Sequence, residues 1–340
     1  MAHREKILVI RRDNIGDLVC TTPMLQQLRA AKPQAKIDLL VNDYNAAVVA
    51  CGQPVDQVFI YRKAKHKLEG ESRWRIWLGT AALILRLRRA RYDWVILAGA
   101  TFSAQAWKFA RLIAPQRVIC YGNGTPLPAM AEVVDATQSH GHHVERTARL
   151  LAPMHIEGPI PATCILPEAA ALAAVQQQLK LPPARRTVAI HISARKPSQR
   201  WPEAMLVAFI RWLCLERGAR VLLFWSPGPE DHPAHPGDDD KAARIMQQLV
   251  GLPVQGMATQ VLSQLIAGLS LCDSMVCSDG GAMHLASALG KPLVCFFGQS
   301  DAEEWRPWNL PYRLLQPTSR DVSDISLVEA QQAFDSLPSP

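Results

Sequence analysis

The 340-residue sequence predicts an α/β protein: two doubly wound parallel sheets, one per domain, facing a central cleft. Three observations predict it. Short apolar runs alternate with amphipathic stretches through both halves, the pattern of parallel strands covered on both faces by helices. Residues 153–168 are rich in proline and lack periodicity, as in Gly158-Pro159-Ile160-Pro161, and read as a linker. The length suits two domains of ordinary size, 1–155 and 156–340.

In the first half, residues 6–11 form an apolar strand and 13–17 a loop. Thr22-Pro23 opens a helix with a hydroxyl at the cap and proline in the first turn. Residues 36–41 are the next strand, 45–51 a short helix and 58–61 a strand. A basic helix follows, then a strand at 94–97, a helix at 103–114, a strand at 117–121 and a helix at 144–151. In the second half, 169–179 is a helix, 187–192 a strand, 202–217 a helix and 220–225 a strand. Helices at 240–250 and 261–269 follow. An apolar run at 274–277 then hands over to a helix at 283–289, ended by Gly290, and a second run at 293–297 closes the unit. Ser326-Leu327-Val328-Glu329 is a capping-box start for the last helix. That helix is a candidate for packing back on the N-terminal domain.

Charge is uneven. The net charge is +7, yet residues 62–91 hold ten Lys/Arg against two acids, a surplus of eight, so the remainder sums to about −1. Trp74, Trp77, Leu78 and the run 83–85 interleave with these cations. Such a segment suits an anionic membrane surface or a phosphorylated glycolipid, or forms a solvated helix face with ordinary core contacts. No nucleic-acid-binding motif accompanies the charge, so nucleic acid is not an expected partner. The eight cysteines show no C-x-x-C spacing and read as reduced core thiols. No apolar run is long enough to span a bilayer, and the N-terminus has no signal-peptide layout, so the expected location is cytoplasmic.

Four segments carry candidate chemistry. In the loop Arg11-Arg12-Asp13-Asn14-Ile15-Gly16-Asp17, Asp17 lies near the next helix start. A carboxylate there either removes a proton from a hydroxyl or only caps the helix, and Asp13 is a second candidate. The loop 193–202 holds Arg195, Lys196 and Arg200, cations suited to a diphosphate or to solvent. Glu230, after the strand at 220–225, is placed to bind ribose hydroxyls or to sit in a polar turn. The run Ser278-Asp279-Gly280-Gly281-Ala282-Met283-His284 is the most specific. Its glycines let backbone N–H groups approach a phosphate at a helix N-terminus, Asp279 can accept bonds from sugar hydroxyls, and His284 can donate to phosphate. The combination points to a nucleotide sugar. Asp238-Asp239-Asp240 reads as helix-dipole complementation, and His140, His142 and His143 as a polar turn without zinc spacing.

Together these segments resemble glycosyltransferase family nine, the ADP-heptose:lipopolysaccharide heptosyltransferases. The likeness runs through Gly16-Asp17 before Thr22-Pro23, Arg200-Trp201-Pro202, the turn 225–230, and 279–284 with Phe296-Phe297-Gly298 after it. The resemblance implies two Rossmann-like domains in the B-type glycosyltransferase architecture, acceptor on the first and donor on the second. It implies an inverting, metal-independent transfer of heptose from ADP-heptose to a lipopolysaccharide core acceptor, an anionic glycolipid, with no cofactor. An enzyme of that kind is expected to be peripheral at the cytoplasmic face of the inner membrane, where residues 62–91 are the candidate contact with the membrane or with the acceptor. Carried over by position, Asp17 is the base, Lys196 and Arg200 hold the diphosphate, and Glu230 binds the ribose. Met257 lines the base pocket, Asp279 binds donor hydroxyls, and Gly280, Gly281 and His284 border the phosphates. Many members carry lysine where this chain has Gln199, so Arg200 or Lys196 must supply that charge. A transferase of the same fold with another nucleotide sugar or acceptor, or a sugar-nucleotide epimerase, shares these features. A dehydrogenase does not, because the first strand is followed by a single Gly16 rather than G-x-G-x-x-G.

Overall fold

A computed structural model describes all residues except 1–3, 63–72, 181, 183, 232–236 and 339–340. The chain forms two compact units, Met1–Thr163 and Cys164–Pro340. The first contains β1 (Lys6–Ile10), α1 (Ile15–Val19), α2 (Thr22–Ala31), β2 (Lys36–Asn42), β3 (Gln57–Tyr61), α3 (Arg73–Ala90) and β4 (Trp94–Leu97). It continues with α4 (Ala104–Ile113), β5 (Arg117–Tyr121), β6 (Ala131–Val134) and α5 (His143–Arg149). The second contains α6 (Ala169–Gln178), β7 (Thr187–His191), α7 (Glu203–Glu216), β8 (Arg220–Trp225), α8 (Asp239–Gln248), β9 (Val254–Ala258) and α9 (Leu262–Ser270). It ends with β10 (Ser274–Ser278), α10 (Gly281–Ala288), β11 (Leu293–Phe296), α11 (Ala302–Trp305), β12 (Tyr312–Leu315) and α12 (Leu327–Asp335).

Both sheets are six-stranded and parallel, in the orders β3-β2-β1-β4-β5-β6 and β12-β11-β10-β7-β8-β9. The central strands are buried almost end to end, which is why they read as unbroken apolar runs. In each sheet the chain winds outward through three strands and then returns beside the first. The order therefore reverses between β1 and β4, and again between β7 and β10. Ligands of open α/β sheets bind outside the carboxyl ends of the strands at such a point.

Local differences from the sequence expectation have physical causes. Residues 13–17 do not remain a loop, because α1 begins at Ile15 when Asp17 folds back onto Asn14. The helix expected over 45–51 is only a 3-10 turn, Ala46–Val49. Three strands absent from the expected pattern, β6, β9 and β12, are all edge strands, four or five residues long and partly exposed. Gly290 ends α10 with φ +72°, as expected of a C-terminal glycine. Ser326 and Glu329 form the capping box at α12, with Ser326 N–H to Glu329 Oε2 at 2.8 Å. The last helix packs on α7, β11 and β12, where the Phe334 ring meets Phe209 and Trp212 edge-on at 6.0 and 5.9 Å. All eight cysteines are free, and six are buried.

Of the basic segment, residues 63–72 lie outside the described residues. The rest is dominated by α3, which carries five arginines and no acid. Ile76 and Leu87 are buried, and Leu83 and Ile84 pack against the core. On the opposite stripe Trp74 and Trp77 are 79% and 68% exposed, with Leu78 and Leu85 beside them. No helix among the described residues is long and apolar enough to cross a membrane.

Candidate active site

Each reversal point gathers the polar residues that the sequence singled out. At the first, β1 delivers Arg11, a guanidinium only 2% exposed. Its Nη2 donates to Asp17 Oδ1 at 2.7 Å and lies 2.6 Å from His143 Nε2, while its Nε donates to the Asp17 carbonyl at 3.3 Å. Asp13, exposed, sits 3.3 Å from Nη1. The second carboxylate oxygen of Asp17 accepts from the Asn14 backbone N–H and side-chain amide at 3.1 and 3.0 Å. Burial alone would raise the Asp17 carboxyl. The Arg11 charge, together with His143 and the Asn14 donors, outweighs it and holds the group below its usual value.

Beside this cluster a cavity of about 360 Å³ opens between the ends of β1 and β4. Arg12, Asp13, Tyr61, Thr101, Ser103 and Gln105 supply its polar wall. The Arg12 guanidinium stacks over Tyr61 and Phe109, at 4.7 and 4.5 Å from the ring centroids. Desolvation lowers its pKa against the attraction of Tyr61 and Asp13. A partly desolvated cation beside hydroxyl and amide groups suits an anionic, hydroxyl-rich ligand.

At the second reversal point, the loop after β7 and the turn after β10 are tied together. Gln199 is buried, and its Nε2 donates to Asp279 Oδ2 at 2.8 Å and to Ser300 Oγ at 3.1 Å. The Asp279 N–H is fixed on the Phe296 carbonyl at 2.8 Å. Gly280 caps α10 in extended backbone, and Gly281 begins the helix. His284 is buried in α10, its ring edge-on to Trp305 at 5.7 Å. Gly298, after β11, passes so close to the loop that a Cβ there would collide with the Ser198 carbonyl.

The remaining expected residues lie around this edge. Lys196 and Arg200 are exposed, and Arg200 Nε donates to the Ala194 carbonyl at 3.0 Å. Glu230 is exposed and shares Arg244 with Glu203, both at 3.1 Å. Met257 is buried on β9 with its methyl toward Gly268 of α9. Asp239 does more than face the helix dipole. It accepts from Trp225 Nε1 at 2.7 Å and from the Gly228 N–H at 2.8 Å, fixing the turn after β8. Residues 232–236 of that turn lie outside the described residues.

Four site features were not singled out in the sequence. Lys241 reaches the Ile192 carbonyl at 3.0 Å, and desolvation lowers its pKa against the pull of Asp238. Desolvation pushes His191, at the end of β7, down to about 4, outweighing its bond to the Ser193 backbone. Arg11 was signalled only by its place at a strand end. His143 had no signal of its role, because its partners lie over 120 residues earlier in the chain.

The family model for glycosyltransferase family 9 (heptosyltransferase) matches residues 80–321. Lipopolysaccharide heptosyltransferase 2 of Escherichia coli K12 is 27% identical over 333 residues, 92% of this chain and 88% of that protein. The family 9 glycosyl transferase of Veillonella parvula superposes with a TM-score of 0.83 at 17% identity, over 98% of this chain and 96% of that one. The E. coli ADP-heptose lipopolysaccharide heptosyltransferase II does so at 0.76 and 20% identity, over 97% and 98%. At such identities the superpositions show a shared fold. The family model spans well over half the chain, and the chain belongs to glycosyltransferase family 9, the heptosyltransferases, and is a glycosyltransferase.

Proposed function

We propose that this glycosyltransferase moves heptose from ADP-heptose to a lipopolysaccharide core acceptor, with inversion and without a metal ion. The observation that carries the proposal is the division of polar groups between two reversal points. The first has a carboxylate beside a cation-lined cavity, and the second has an acid and two glycines at a helix start. The likeness to the E. coli lipopolysaccharide heptosyltransferase 2, and the ADP-heptose named for the E. coli structure of the same fold, support these substrates.

In this reading the first unit binds the acceptor, with Arg12 against its anionic group and Asp13 at the cavity rim. Asp17 takes the proton of the attacking hydroxyl as the new bond forms at the anomeric carbon. The bond from that carbon to the diphosphate breaks on the opposite face, and ADP leaves. Lys196, Arg200 and the N–H groups at Gly280 and Gly281 stabilise the charge that develops on it, with His284 bordering the phosphates. Asp279 binds donor hydroxyls, oriented by Gln199. Glu230 binds the ribose after release from Arg244, and Met257 lines the base pocket. Because Gln199 is neutral and already bonded to Asp279, the positive charge at the diphosphate comes from Arg200 or Lys196. Arg200→Ala is expected to weaken ADP binding about tenfold or more in a calorimetric titration, the loss of one charged hydrogen bond.

The enzyme works at the cytoplasmic face of the inner membrane, and the outer stripe of α3 is the contact. Trp74→Ser with Trp77→Ser should reduce flotation with anionic vesicles at least about tenfold, since burying a large apolar side chain is worth roughly 1.5–3 kcal/mol. Equal flotation of the double variant would remove α3 from that role.

The test of the whole reading is transfer itself. ADP-heptose and a heptose-deficient core acceptor, incubated with the enzyme in excess chelator, should give a product whose anomeric configuration is opposite to that of the donor, read by proton NMR. Retained configuration, dependence on added metal, or transfer only from a different nucleotide sugar would overturn the corresponding part.

A further inference from the structure

His143 belongs to no part of the machinery proposed so far, yet it is 4% exposed and 2.6 Å from the buried Arg11 guanidinium. It is the first residue of α5, a helix fixed in place by its own sequence. His142 at the cap accepts the Val144 N–H on Nδ1 at 3.1 Å, and Glu145 accepts the His142 N–H at 3.0 Å. The single proton of the Thr147 hydroxyl is shared between the Val144 carbonyl at 2.9 Å and the Cys20 carbonyl at 3.1 Å, which brings α5 against the turn between α1 and α2. The imidazole is thereby delivered to the Arg11–Asp17 pair from a remote part of the chain.

An arginine nitrogen only donates. His143 Nε2 therefore faces Arg11 with its lone pair, and a neutral ring carries its proton on Nδ1. The two protons of Arg11 Nη2 are then divided, one toward Asp17 Oδ1 at 2.7 Å and one toward His143 Nε2 at 2.6 Å. His143 Nε2 and Asp17 Oδ1 are themselves 3.5 Å apart. The attraction that keeps Asp17 ionised comes first from Arg11, with His143 and the Asn14 donors adding to it, and His143 also acts on Asp17 through Arg11. The charged and titratable groups of the cluster are Arg11 from the end of β1, Asp13 from the loop, Asp17 from α1, and His142 and His143 from α5.

We propose that His143 is a positioning residue for Asp17: by accepting one Nη2 proton of Arg11 it fixes the other on Asp17 Oδ1 and so aims the carboxylate. The catalytic consequence rests on the proposed role of Asp17 as base, whereas the geometric part does not. Without that acceptor the guanidinium, still bonded through Nε to the Asp17 carbonyl, would be drawn toward exposed Asp13, already 3.3 Å from Nη1, and the Asp17 carboxylate would lose both its orientation and part of its attraction.

The experiment follows the Asp17 carboxyl directly. Protein labelled with ¹³C at aspartate carboxyls is titrated by NMR in the absence of substrate, with Asp17 assigned by its loss in Asp17→Asn. His143→Ala should raise the Asp17 titration by about half a pH unit or more, because an opposite charge nearby lowers a carboxyl and a loosened one lowers it less. His143→Gln, whose amide oxygen can accept from Arg11, should restore it. In the presence of substrates His143→Ala should lower kcat about tenfold or more with donor KM unchanged, and His143→Gln should recover much of it. If His143→Ala does not fold, His143→Phe keeps ring bulk without an acceptor and takes its place. Identical Asp17 titration in all variants, with only thermal stability reduced, would overturn the proposal. Failure of the base assignment shows separately, as full turnover in Asp17→Asn, and leaves the carboxyl titration standing.

Discussion

Asp17→Asn is expected to lower turnover by about 10²- to 10⁴-fold while leaving donor affinity near wild type, the range for losing a general base. The amide keeps the size of the carboxylate and an oxygen for Arg11. Its nitrogen then meets the Asn14 side chain and backbone N–H, so a cost of about 1–3 kcal/mol in stability is expected, relieved in part by a flip of the Asn14 amide. Asp17→Ala is the harsher change. It leaves the buried Arg11 without its closest anion, and breaking such a pair costs about 3–5 kcal/mol. Thermal unfolding of both variants beside steady-state kinetics separates loss of chemistry from loss of fold. The pH dependence has a definite sign. The Asp17 carboxyl is held below its value in the unfolded chain, so its contribution to stability is present above about pH 4 and is lost as pH falls through the folded-state value. The wild-type advantage over Asp17→Ala in urea unfolding should therefore be constant near neutrality and shrink in acid. An advantage that grew in acid would contradict the Arg11 pairing.

Gly298→Ala is expected to cost about 1–3 kcal/mol and to weaken donor binding sharply, because one methyl group has nowhere to go. Its Cβ would collide with the Ser198 carbonyl and lie 2.9 Å from the Ser198 carbonyl carbon, both backbone atoms that cannot turn aside as a side-chain tip could. The loop 197–199 would shift, carrying Gln199 away from Asp279 and Ser300. Calorimetry with ADP-heptose and a thermal melt should both register the change. A variant with wild-type affinity would mean that the contact between Gly298 and Ser198 does not shape the donor site.

Much of the fold was legible because its central strands are buried on both faces. β1, β2, β7, β10 and β11 announce themselves as apolar runs, and the residues that leave them, Arg11–Asp17, 193–200 and Asp279–Gly281, must lie at carboxyl edges. The reversal points were not legible from periodicity, since strand order depends on pairings between distant segments. The edge strands β6, β9 and β12 were missed for a related reason. Partly exposed, they carry residues such as Glu132, Gln255 and Arg313 that dilute the apolar signal. At the site, short-range chemistry was readable and long-range chemistry was not. Asp17, Asp279 and the glycines lie within motifs. Gln199 registered only as a departure from the family's lysine, whereas its bonds to Asp279 and Ser300 span 80 and 101 residues. His143 reads as part of a polar turn in the sequence, because a histidine there has no local partner that gives it meaning. Its distance to Arg11 exists only in the folded chain.

The division of labour between the two units is tested most directly by titrating ADP-heptose calorimetrically into the wild type, Asp17→Asn and Asp279→Asn, without acceptor. Asp279→Asn should lose about tenfold or more in affinity, the worth of a charged hydrogen bond to a sugar hydroxyl, while Asp17→Asn binds as the wild type does. The reverse pattern, with donor affinity lost at Asp17 and kept at Asp279, would contradict it.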